Sequence, residues 1–490
     1  MRYLRDPSLR VIAGGRVVIG GSPLRLFRLT DAGAALVRQA STGDDVAATP
    51  ARARLLDRFV DAGALHPRPT GGPFTAADVT VVVPVRDRVD GLDRLLGSLQ
   101  RCPRDEWPAD VVVVDDGSRD MLGHARVAAA HGAALVRRER SGGPGVARDD
   151  GIARCGTALV AVLDSDCVVT DGWLDATLGH FVDERVAAVA ARVRAVSTGG
   201  MEGPSGVLDR YDAVRSPLDL GPVPGRVAPG TRISYVPAAG VVLRRDAHDQ
   251  IGGFDPDLRM GEDVDLIWRL VEAGWRVRYE PMGEVRHDVR PGLGSWLRQR
   301  FDYGTSAGPL DARHPGLVAP VSCSPWSAAA WTAVAVGHPL LGVALAAGSA
   351  AALPRRLPQV PMQESLRMAA LGHLGAGTLL ARAVVRVWWP VAAVAGLVSR
   401  RARRVLAASA AVVVADAWAS GSGPGGLDPV TFAALTLADD AAYGAGVWAG
   451  CVRARSFRAL LPRLVGWPPR SPGAPPAQRL APGEAAPVKA

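Results

Sequence analysis

The chain is 490 residues long, which is more than one ordinary hydrophobic core accommodates, so two or three domains are expected. Its formal net charge of +9 is compatible with nucleic acid, an acidic substrate or anionic lipid as a partner. The 5 cysteines form no Cys-x-x-Cys pair, which argues against a disulfide framework and against a structural zinc site.

Residues 1–68 predict a small module in which short strands precede two helices. The pattern resembles the small winged-helix-like peptide-recognition domains of enzymes from ribosomal-peptide natural-product pathways, and a purely structural cap is the alternative. Because the N-terminus lacks an apolar run of signal-peptide length, we expect the catalytic part to lie in the cytoplasm. Prolines and glycines in 69–77 predict a linker. The predicted strands are 9–13, 16–19 and 24–29, and the predicted helices are 31–40 and 51–63.

Residues 78–313 alternate apolar strand patterns with helical patterns, which predicts an α/β fold with right-handed crossovers. Continuous apolar runs at 79–85, 111–114 and 158–163 fit strands that are buried on both faces of a parallel sheet. The predicted fold class is therefore a Rossmann-like α/β sandwich. Farther along, the pattern predicts a helix at 171–181, a loop region at 199–230, strands at 241–244 and 276–279, and a helix at 292–303.

Residues 314–467 are mainly apolar and predict a helical region that attaches to a membrane. The part 326–353 is long enough to span a bilayer, although Gly337-His338-Pro339 interrupts it. Short apolar segments flank the arginine-rich run 399–404, a pattern typical of helices that lie on the anionic cytoplasmic face of a membrane. Buried helices of a soluble domain are the alternative. The Pro/Ala-rich end, 468–490, predicts a disordered tail.

Two of the predicted strands end in acidic clusters, Asp115-Asp116-Gly117-Ser118 and Asp164-Ser165-Asp166. Ligands of parallel α/β sheets bind beyond the carboxyl ends of the strands, so these carboxylates are where chemistry is expected. A third acidic motif, Gly-Glu-Asp-Val-Asp, follows at 261–265. Each cluster alone could cap a helix or a turn, but the three in this order indicate one site.

Five sequence blocks within about 78–305 resemble family 2 inverting glycosyltransferases of the nucleotide-diphospho-sugar fold, which is of the GT-A type. The blocks are VVVPVRDR, DDGS, SGGPGVAR, LDSD and GFDPDLRMGEDVDLIWRLVEAGWRV. Within this family, the chain resembles the glycosyltransferases of the mycofactocin system in its N-terminal module, in the amino-acid sequences of the blocks and in its C-terminal apolar helices. The resemblance implies a UDP-sugar donor and a small peptide-derived acceptor.

The resemblance implies that Asp166 and Asp164 hold Mg²⁺ or Mn²⁺. A nucleotide-sugar brings two phosphates, and a hard divalent cation held by one or two carboxylates neutralises the departing diphosphate. Asp164 also faces the donor ribose. His287 stands where related enzymes supply a histidine to the metal, and a structural role for a lone histidine is the alternative.

The resemblance also implies how the chain binds the nucleotide. Asp115 and Asp116 face the base and ribose, because a carboxylate accepts hydrogen bonds from a uracil imide and from ribose hydroxyls. Pro84 and Arg86 line the same pocket. Arg148, at a helix start behind a glycine-rich turn, suits the diphosphate.

The glycine-rich block departs from the family at one position. The family usually has Arg-Asn-x-Gly where this chain has Arg148-Asp149-Asp150-Gly151. An added carboxylate beside a phosphate is unfavourable, so we expect Asp149 to point away from the donor or to meet Arg154 or a metal.

Inverting transfer needs one base that takes the proton from the acceptor hydroxyl during a single displacement. Asp263 is the candidate, with Glu262 orienting the acceptor; ordinary acidic residues at a helix N-terminus are the alternative. Trp268, Arg298 and Arg300 are the predicted acceptor-binding residues. The arginines belong to a block that only loosely resembles the Gln-x-x-Arg-Trp motif of processive synthases.

The sequence therefore predicts a metal-dependent inverting glycosyltransferase that moves a hexose, glucose by resemblance, onto mycofactocin or its precursor. By the same resemblance it could build a short β-linked glucan. One alternative is a membrane glycosyltransferase of lipid or cell-wall polysaccharide synthesis. Another is a non-catalytic scaffold that binds nucleotide-sugar or peptide. Nucleic-acid binding is not predicted, because aromatic and basic residues do not interleave.

Overall fold

The computed structural model describes residues 1–47, 49–196, 206–290, 292–420 and 425–466. The tail predicted at 468–490 lies outside the described residues. Three parts pack against one another in the described chain: an N-terminal module, a central α/β domain and a C-terminal helical region.

The strands and helices have the following bounds. The strands are β1 (Arg2–Arg5), β2 (Arg10–Ile12), β3 (Val17–Gly20), β4 (Arg25–Arg28), β5 (Leu65–Arg68), β6 (Val79–Val85), β7 (Asp110–Asp116), β8 (Ala134–Arg138), β9 (Leu159–Val162), β10 (Cys167–Val169), β11 (Val186–Val196), β12 (Gly225–Val227), β13 (Val241–Arg244), β14 (Arg276–Asp288), β15 (Ser322–Cys323) and β16 (Arg463–Leu464). The helices are α1 (Asp31–Ser41), α2 (Pro50–Asp61), α3 (Val89–Arg101), α4 (Met121–Ala130), α5 (Pro144–Ile152), α6 (Asp175–Leu178), α7 (Val207–Arg215), α8 (Arg245–Gln250), α9 (Glu262–Glu272), α10 (Leu293–Gly304), α11 (Ala307–Arg313), α12 (Pro325–Ala335), α13 (Pro339–Arg356), α14 (Met362–Arg386), α15 (Trp389–Val398), α16 (Arg400–Ala419) and α17 (Pro429–Arg453).

The central domain is built on a mixed sheet with the strand order β10-β14-β11-β13-β9-β6-β7-β8, and β12 pairs with β14. Strands β9, β6, β7 and β8 are parallel, as the unbroken apolar runs predict. Both faces of this sheet are covered: α3 packs Leu92, Leu95 and Leu99 on one face, and α9 packs Leu266 and Ile267 on the other. The predicted α/β sandwich is therefore present.

Three predictions inside the central domain are wrong. Only Asp175–Leu178 of the predicted helix 171–181 is α-helical, and a short 3-10 turn follows it. The predicted loop region at 199–230 contains α7 and β12, and its first part lies outside the described residues. The strand predicted at 276–279 continues to Asp288, where Pro281-Met282-Gly283 had suggested its end.

The length of β14 positions part of the site. Its pairing with β11 shifts register, so that Ala191 lies opposite Glu280 and Arg192 lies opposite Glu284. The residues between form a bulge instead of a turn, and the strand runs on beside β10. As a result His287 lies opposite Cys167, next to the acidic cluster that follows β9.

The N-terminal module contains the predicted strands and helices. β2, β3 and β4 form an antiparallel sheet, β1 pairs with β5, and α1 and α2 pack on one shared core. Arg276 of the central domain forms ion pairs with the module: its guanidinium lies 2.6 Å from Asp61 and 3.3 Å from Asp57. The assignment of this module to peptide recognition stays a prediction.

The part 326–353, whose length alone would allow it to span a bilayer, does not form one continuous helix. The chain forms α12 and α13 here instead. The break lies at Gly337, whose φ of +90° leaves the helical region, and Pro339 starts the next helix. Among the described helices, α14 alone is long and apolar enough to cross a membrane by length and composition.

The helical region packs closely on the central domain through glycines at the contact between α10 and α17. A Cβ on Gly446 would lie 1.9 Å from the Phe301 carbonyl oxygen, and one on Gly304 would lie 2.1 Å from the Tyr443 carbonyl oxygen. Glycine is therefore required at both positions for the two backbones to approach this closely. The contact brings α17 to the edge of the predicted active site.

Candidate active site

A cavity of about 830 Å³ opens beyond the carboxyl ends of β6, β7 and β9. The structure brings almost all of the predicted site residues to its wall, although they are spread along the sequence from Pro84 to Arg300. The predicted residues that line it are Pro84, Arg86, Asp116, Arg148, Asp164, Asp166, Glu262, Asp263, Trp268, His287, Arg298 and Arg300. Asp115 is the predicted site residue that is absent from the lining.

Asp164, Asp166 and His287 form a group that could hold a metal ion. One ligand atom from each lies within 4.8 Å of the others, and His287 Nε2 is 3.3 Å from Asp166 Oδ1. Burial alone would raise the pKa of Asp166, but His287 and Arg88 outweigh it and lower that pKa to about 2. Two carboxylates and an imidazole are a donor set that fits a divalent cation.

Arg148 lies at the centre of a buried ion cluster. Its guanidinium is 2.7 Å from Asp164 on one side and 2.7 Å from Glu262 on the other. Burial would lower the pKa of Arg148, but the two carboxylates outweigh it and raise that pKa. Arg148 therefore connects the predicted metal group to the predicted catalytic helix.

Asp263 lies in the first turn of α9, directly beyond Gly261, whose φ of +80° fixes the entry to the helix. One carboxylate oxygen accepts a long hydrogen bond of 3.4 Å from the Ala238 N–H. Burial, and then the neighbouring charge of Glu262, raises the pKa of Asp263 to about 7. A carboxylate with this pKa is suited to general-base chemistry near neutral pH.

The two aspartates at the end of β7 differ in their surroundings. Asp115 is fully buried, and its carboxylate accepts a hydrogen bond of 2.9 Å from the Ser118 N–H. Asp116 lines the cavity and accepts hydrogen bonds of 2.8 Å and 3.0 Å from the Gly142 and Gly143 N–H groups. Asp116 therefore holds the glycine-rich turn in place, and donor binding by both aspartates stays a prediction.

Asp149, the residue that departs from the family pattern, faces away from the cavity. Its carboxylate accepts a hydrogen bond of 3.0 Å from the Phe254 N–H and lies 2.8 Å from His248 Nε2. The expected clash between an extra carboxylate and a bound phosphate is thus avoided.

The predicted acceptor residues line the cavity with their polar groups already engaged. Trp268 donates its indole N–H to the Ser234 carbonyl oxygen at 2.7 Å. Arg300 is buried and pairs with Asp212. Arg298 is 75% exposed and lies 3.1 Å from Asp302 on its own helix. Their contact with an acceptor stays a prediction.

Sequence reasoning missed several residues of the cavity wall. Arg88 lies 3.0 Å from Asp166 and is two residues after the predicted Arg86. It belongs to the same sequence block, which could have indicated its place in the site. Tyr303 follows the predicted Arg300 by one helical turn. Arg386 and Tyr443 come from α14 and α17, outside every recognised block, so no local signal marked them.

Comparisons with known proteins show the family of this chain. The model of the family described as glycosyl transferase family 2 matches residues 80–252. The pre-mycofactocin glycosyltransferase of Mycobacterium tuberculosis (strain H37Rv) is 40% identical over 472 residues, which cover 94% of this chain and 97% of that protein. The chain belongs to glycosyl transferase family 2. The family and the α/β fold class predicted from the sequence blocks are confirmed.

Other similar proteins are more distant. The succinoglycan biosynthesis protein ExoU of Rhizobium meliloti is 30% identical over 211 residues, which cover 41% of this chain and 59% of that protein. Among solved structures, a mannosyltransferase from Pyrobaculum calidifontis in complex with GDP-Man and Mn²⁺ is 22% identical. It has a TM-score of 0.38 and covers 63% of this chain and 89% of that one.

Proposed function

We propose that this family 2 enzyme transfers a hexose, glucose from UDP-glucose, onto a small peptide-derived acceptor with inversion at the anomeric carbon. One observation carries the proposal: Asp263 lines the same cavity as Asp164, Asp166 and His287, which could hold a metal ion. The pKa of Asp263, about 7, suits a general base. The similarity to the pre-mycofactocin glycosyltransferase that is 40% identical supports pre-mycofactocin as the acceptor class.

In the proposed reaction, the acceptor hydroxyl attacks the anomeric carbon from the face opposite the nucleoside diphosphate. The new carbon–oxygen bond forms as the bond to the diphosphate breaks, and the hydroxyl proton passes to Asp263. Arg148 fixes Glu262, which keeps the start of α9 in position beside the donor. A divalent cation on Asp164, Asp166 and His287 would neutralise the leaving diphosphate as a Lewis acid.

We expect metal removal to abolish transfer. With purified protein, UDP-glucose and acceptor, mass spectrometry should show hexose added to the acceptor, no product after EDTA treatment, and recovery when Mn²⁺ or Mg²⁺ is restored. Asp166→Ala should lower the rate at least about 100-fold, because it weakens the binding of a cation that would contribute several kcal/mol to transition-state charge stabilisation.

Asp171→Ala is the matched control, since Asp171 is an exposed carboxylate on the same segment and lies outside the cavity. Transfer that survives EDTA, or is undiminished in Asp166→Ala, would contradict metal dependence. UDP-glucose binding without any turnover would favour the non-catalytic scaffold instead.

We also propose that the helical region attaches to the cytoplasmic face of the cell membrane by lying on anionic lipid. Large apolar side chains at the ends of α13 and α15 are exposed: Leu340 is 85% exposed, Leu397 81% and Val398 89%. Exposed Arg400 and Arg404 follow directly on α16. Apolar side chains beside arginines are typical of surfaces that bind anionic membranes.

The double substitution Leu397→Glu with Val398→Glu should therefore reduce co-sedimentation with vesicles that contain phosphatidylserine by about tenfold or more, since two apolar side chains that would insert into the lipid are lost. Leu122→Glu is the control, because Leu122 is 68% exposed on the central domain. Equal binding of wild type and double variant would contradict the proposed surface. If the protein bound neutral vesicles as well as anionic ones, the role of the arginines would be contradicted.

A further inference from the structure

Three tyrosines stand around the part of the cavity that the donor-binding motifs do not form. Tyr235 precedes the short turn before β13, Tyr303 lies on α10 and Tyr443 lies on α17. Burial raises the pKa of Tyr235 to about 12, and Tyr443 and Asp263 add to that effect, so these groups are neighbours. Burial, with Asp263 among the nearby charges, also raises the pKa of Tyr303.

The hydroxyls of these tyrosines make no hydrogen bond to any residue in the described part of the chain. Other buried tyrosines differ, since Tyr211 donates to Asp439 and Tyr279 donates to the Gly221 carbonyl oxygen. A partly buried hydroxyl without a protein partner is costly unless water or a ligand satisfies it. The three phenols are therefore available to a molecule in the cavity.

The charges of the same wall are already neutralised within the protein. Arg386 pairs with Asp440 and stacks over the Tyr443 ring, with its guanidinium carbon 3.7 Å from the ring centroid. Arg300 pairs with Asp212 and lies 3.5 Å from Asp439. Arg215 also lies near Asp439, so three arginines face three carboxylates, which leaves no excess positive charge here to bind a phosphate.

The rest of this end of the cavity is apolar. Leu310 on α11 lines it, and so do Leu317 and Val318 from the segment that follows α11. The combination of apolar floor, ring faces and free hydroxyls matches a ligand with an apolar body that carries hydroxyl groups.

We propose that Tyr235, Tyr303 and Tyr443 form the acceptor subsite, and that it takes an uncharged, hydroxyl-bearing acceptor with an apolar body. This inference rests on the proposed function, because it assigns the second substrate of the same reaction. It makes α17 part of the active site: the tyrosines orient the attacking hydroxyl toward Asp263, and they are positioning residues. An acceptor with a phosphate at this end is disfavoured by the surrounding carboxylates.

The test uses the full-length protein with UDP-glucose and phenyl β-glucoside, a neutral probe with an apolar ring and hydroxyls. Tyr443→Phe, Tyr303→Phe and Tyr235→Phe should each raise the KM for the probe about three- to tenfold, which corresponds to one lost neutral hydrogen bond. The KM for UDP-glucose should not change, because none of the three tyrosines belongs to the donor-binding motifs. Phenylalanine keeps the ring, so the fold and the stacking of Arg386 are preserved.

Tyr211→Phe is the matched control, because it removes a phenol hydroxyl that points to Asp439 from outside the cavity. The 6-phosphate of phenyl β-glucoside should be a much poorer acceptor than the neutral probe. Unchanged KM values in all three variants, or a preference for the phosphorylated probe, would overturn the subsite. If the wild type neither hydrolyses UDP-glucose nor transfers glucose, the proposed function itself fails and the subsite fails with it.

Discussion

Asp263→Asn is expected to abolish sugar transfer and at the same time to raise the thermal stability of the protein. Asparagine has nearly the shape of aspartate but cannot accept the proton of the acceptor hydroxyl. Burial and the charge of Glu262 raise the pKa of Asp263 to about 7, so the ionised carboxylate destabilises the folded state. The substitution removes that cost together with the base.

The sign of this effect depends on pH. The folded protein holds the Asp263 proton up to about pH 7, whereas the unfolded chain releases it near the ordinary value of 3.8. The carboxyl group therefore lowers the free energy of unfolding increasingly as pH rises from about 4 to 7, by a few kcal/mol at most. Asp263→Asn should raise Tm by several degrees at pH 8 and by less at pH 5.

Differential scanning calorimetry at the two pH values, combined with the transfer assay, checks this prediction. Asp171→Asn is the control, since that carboxylate is exposed and should shift neither Tm nor rate. In the wild type, the transfer rate should rise with pH through about 7 as Asp263 ionises. Burial, Glu262 and Arg148 set the apparent pKa of Asp263 together, and Tyr235 and Tyr303 also lie near this group. A lower Tm at pH 8 would contradict the assignment.

The positions of Asp116 and Asp164 were predictable from the sequence because both residues lie at the ends of buried strands. Parallel pairing of β6 with β7 and β9 forces Asp116 and Asp164 to the same edge of the sheet. The apolar runs before them define where each strand ends, so their position needs no knowledge of distant contacts. Asp263 was selected through the family resemblance, because an acidic motif at the start of an amphipathic helix is by itself an ordinary feature.

The rest depends on contacts between distant parts of the chain. The continuation of β14 past Pro281 requires β10 and β11 as partners, and a local pattern there indicates a turn. The position of Tyr443 depends on the close approach of α17 to α10, which no local pattern specifies. The apolar residues of the helical region were interpreted mainly as a membrane signal, with buried helices as the alternative. Their packing against the central domain places Arg386 and Tyr443 in the wall of the candidate site.

Arg148→Met is expected to cause the largest loss of stability among single substitutions in the cavity. The guanidinium is almost fully buried and pairs with Asp164 and Glu262, each at 2.7 Å. Methionine fills similar volume but leaves two carboxylates close together without a cation. Breaking a buried ion pair in this way costs about 3–5 kcal/mol.

The double variant Arg148→Met with Glu262→Gln tests whether the loss comes from unpaired charge. Removal of one carboxylate should recover a large part of the free energy of unfolding measured in urea, so the two substitutions should be strongly non-additive. Arg154→Met is the control, because Arg154 is exposed on the neighbouring turn. Losses that simply add, or an Arg148→Met variant within about 1 kcal/mol of wild type, would contradict the buried cluster.

Activity in the same variants separates the two roles of Arg148. Its charge lowers the pKa of Asp263, so Arg148→Met should shift the pH profile of any remaining transfer to higher pH. Glu262→Gln removes a negative neighbour and should shift the profile to lower pH, because that charge raises the same pKa. If Arg148 also binds the diphosphate, the double variant regains stability but not transfer, and its KM for UDP-glucose stays high. If the double variant regained both stability and transfer, the role of Arg148 would be only to hold the helix that carries Asp263 in place.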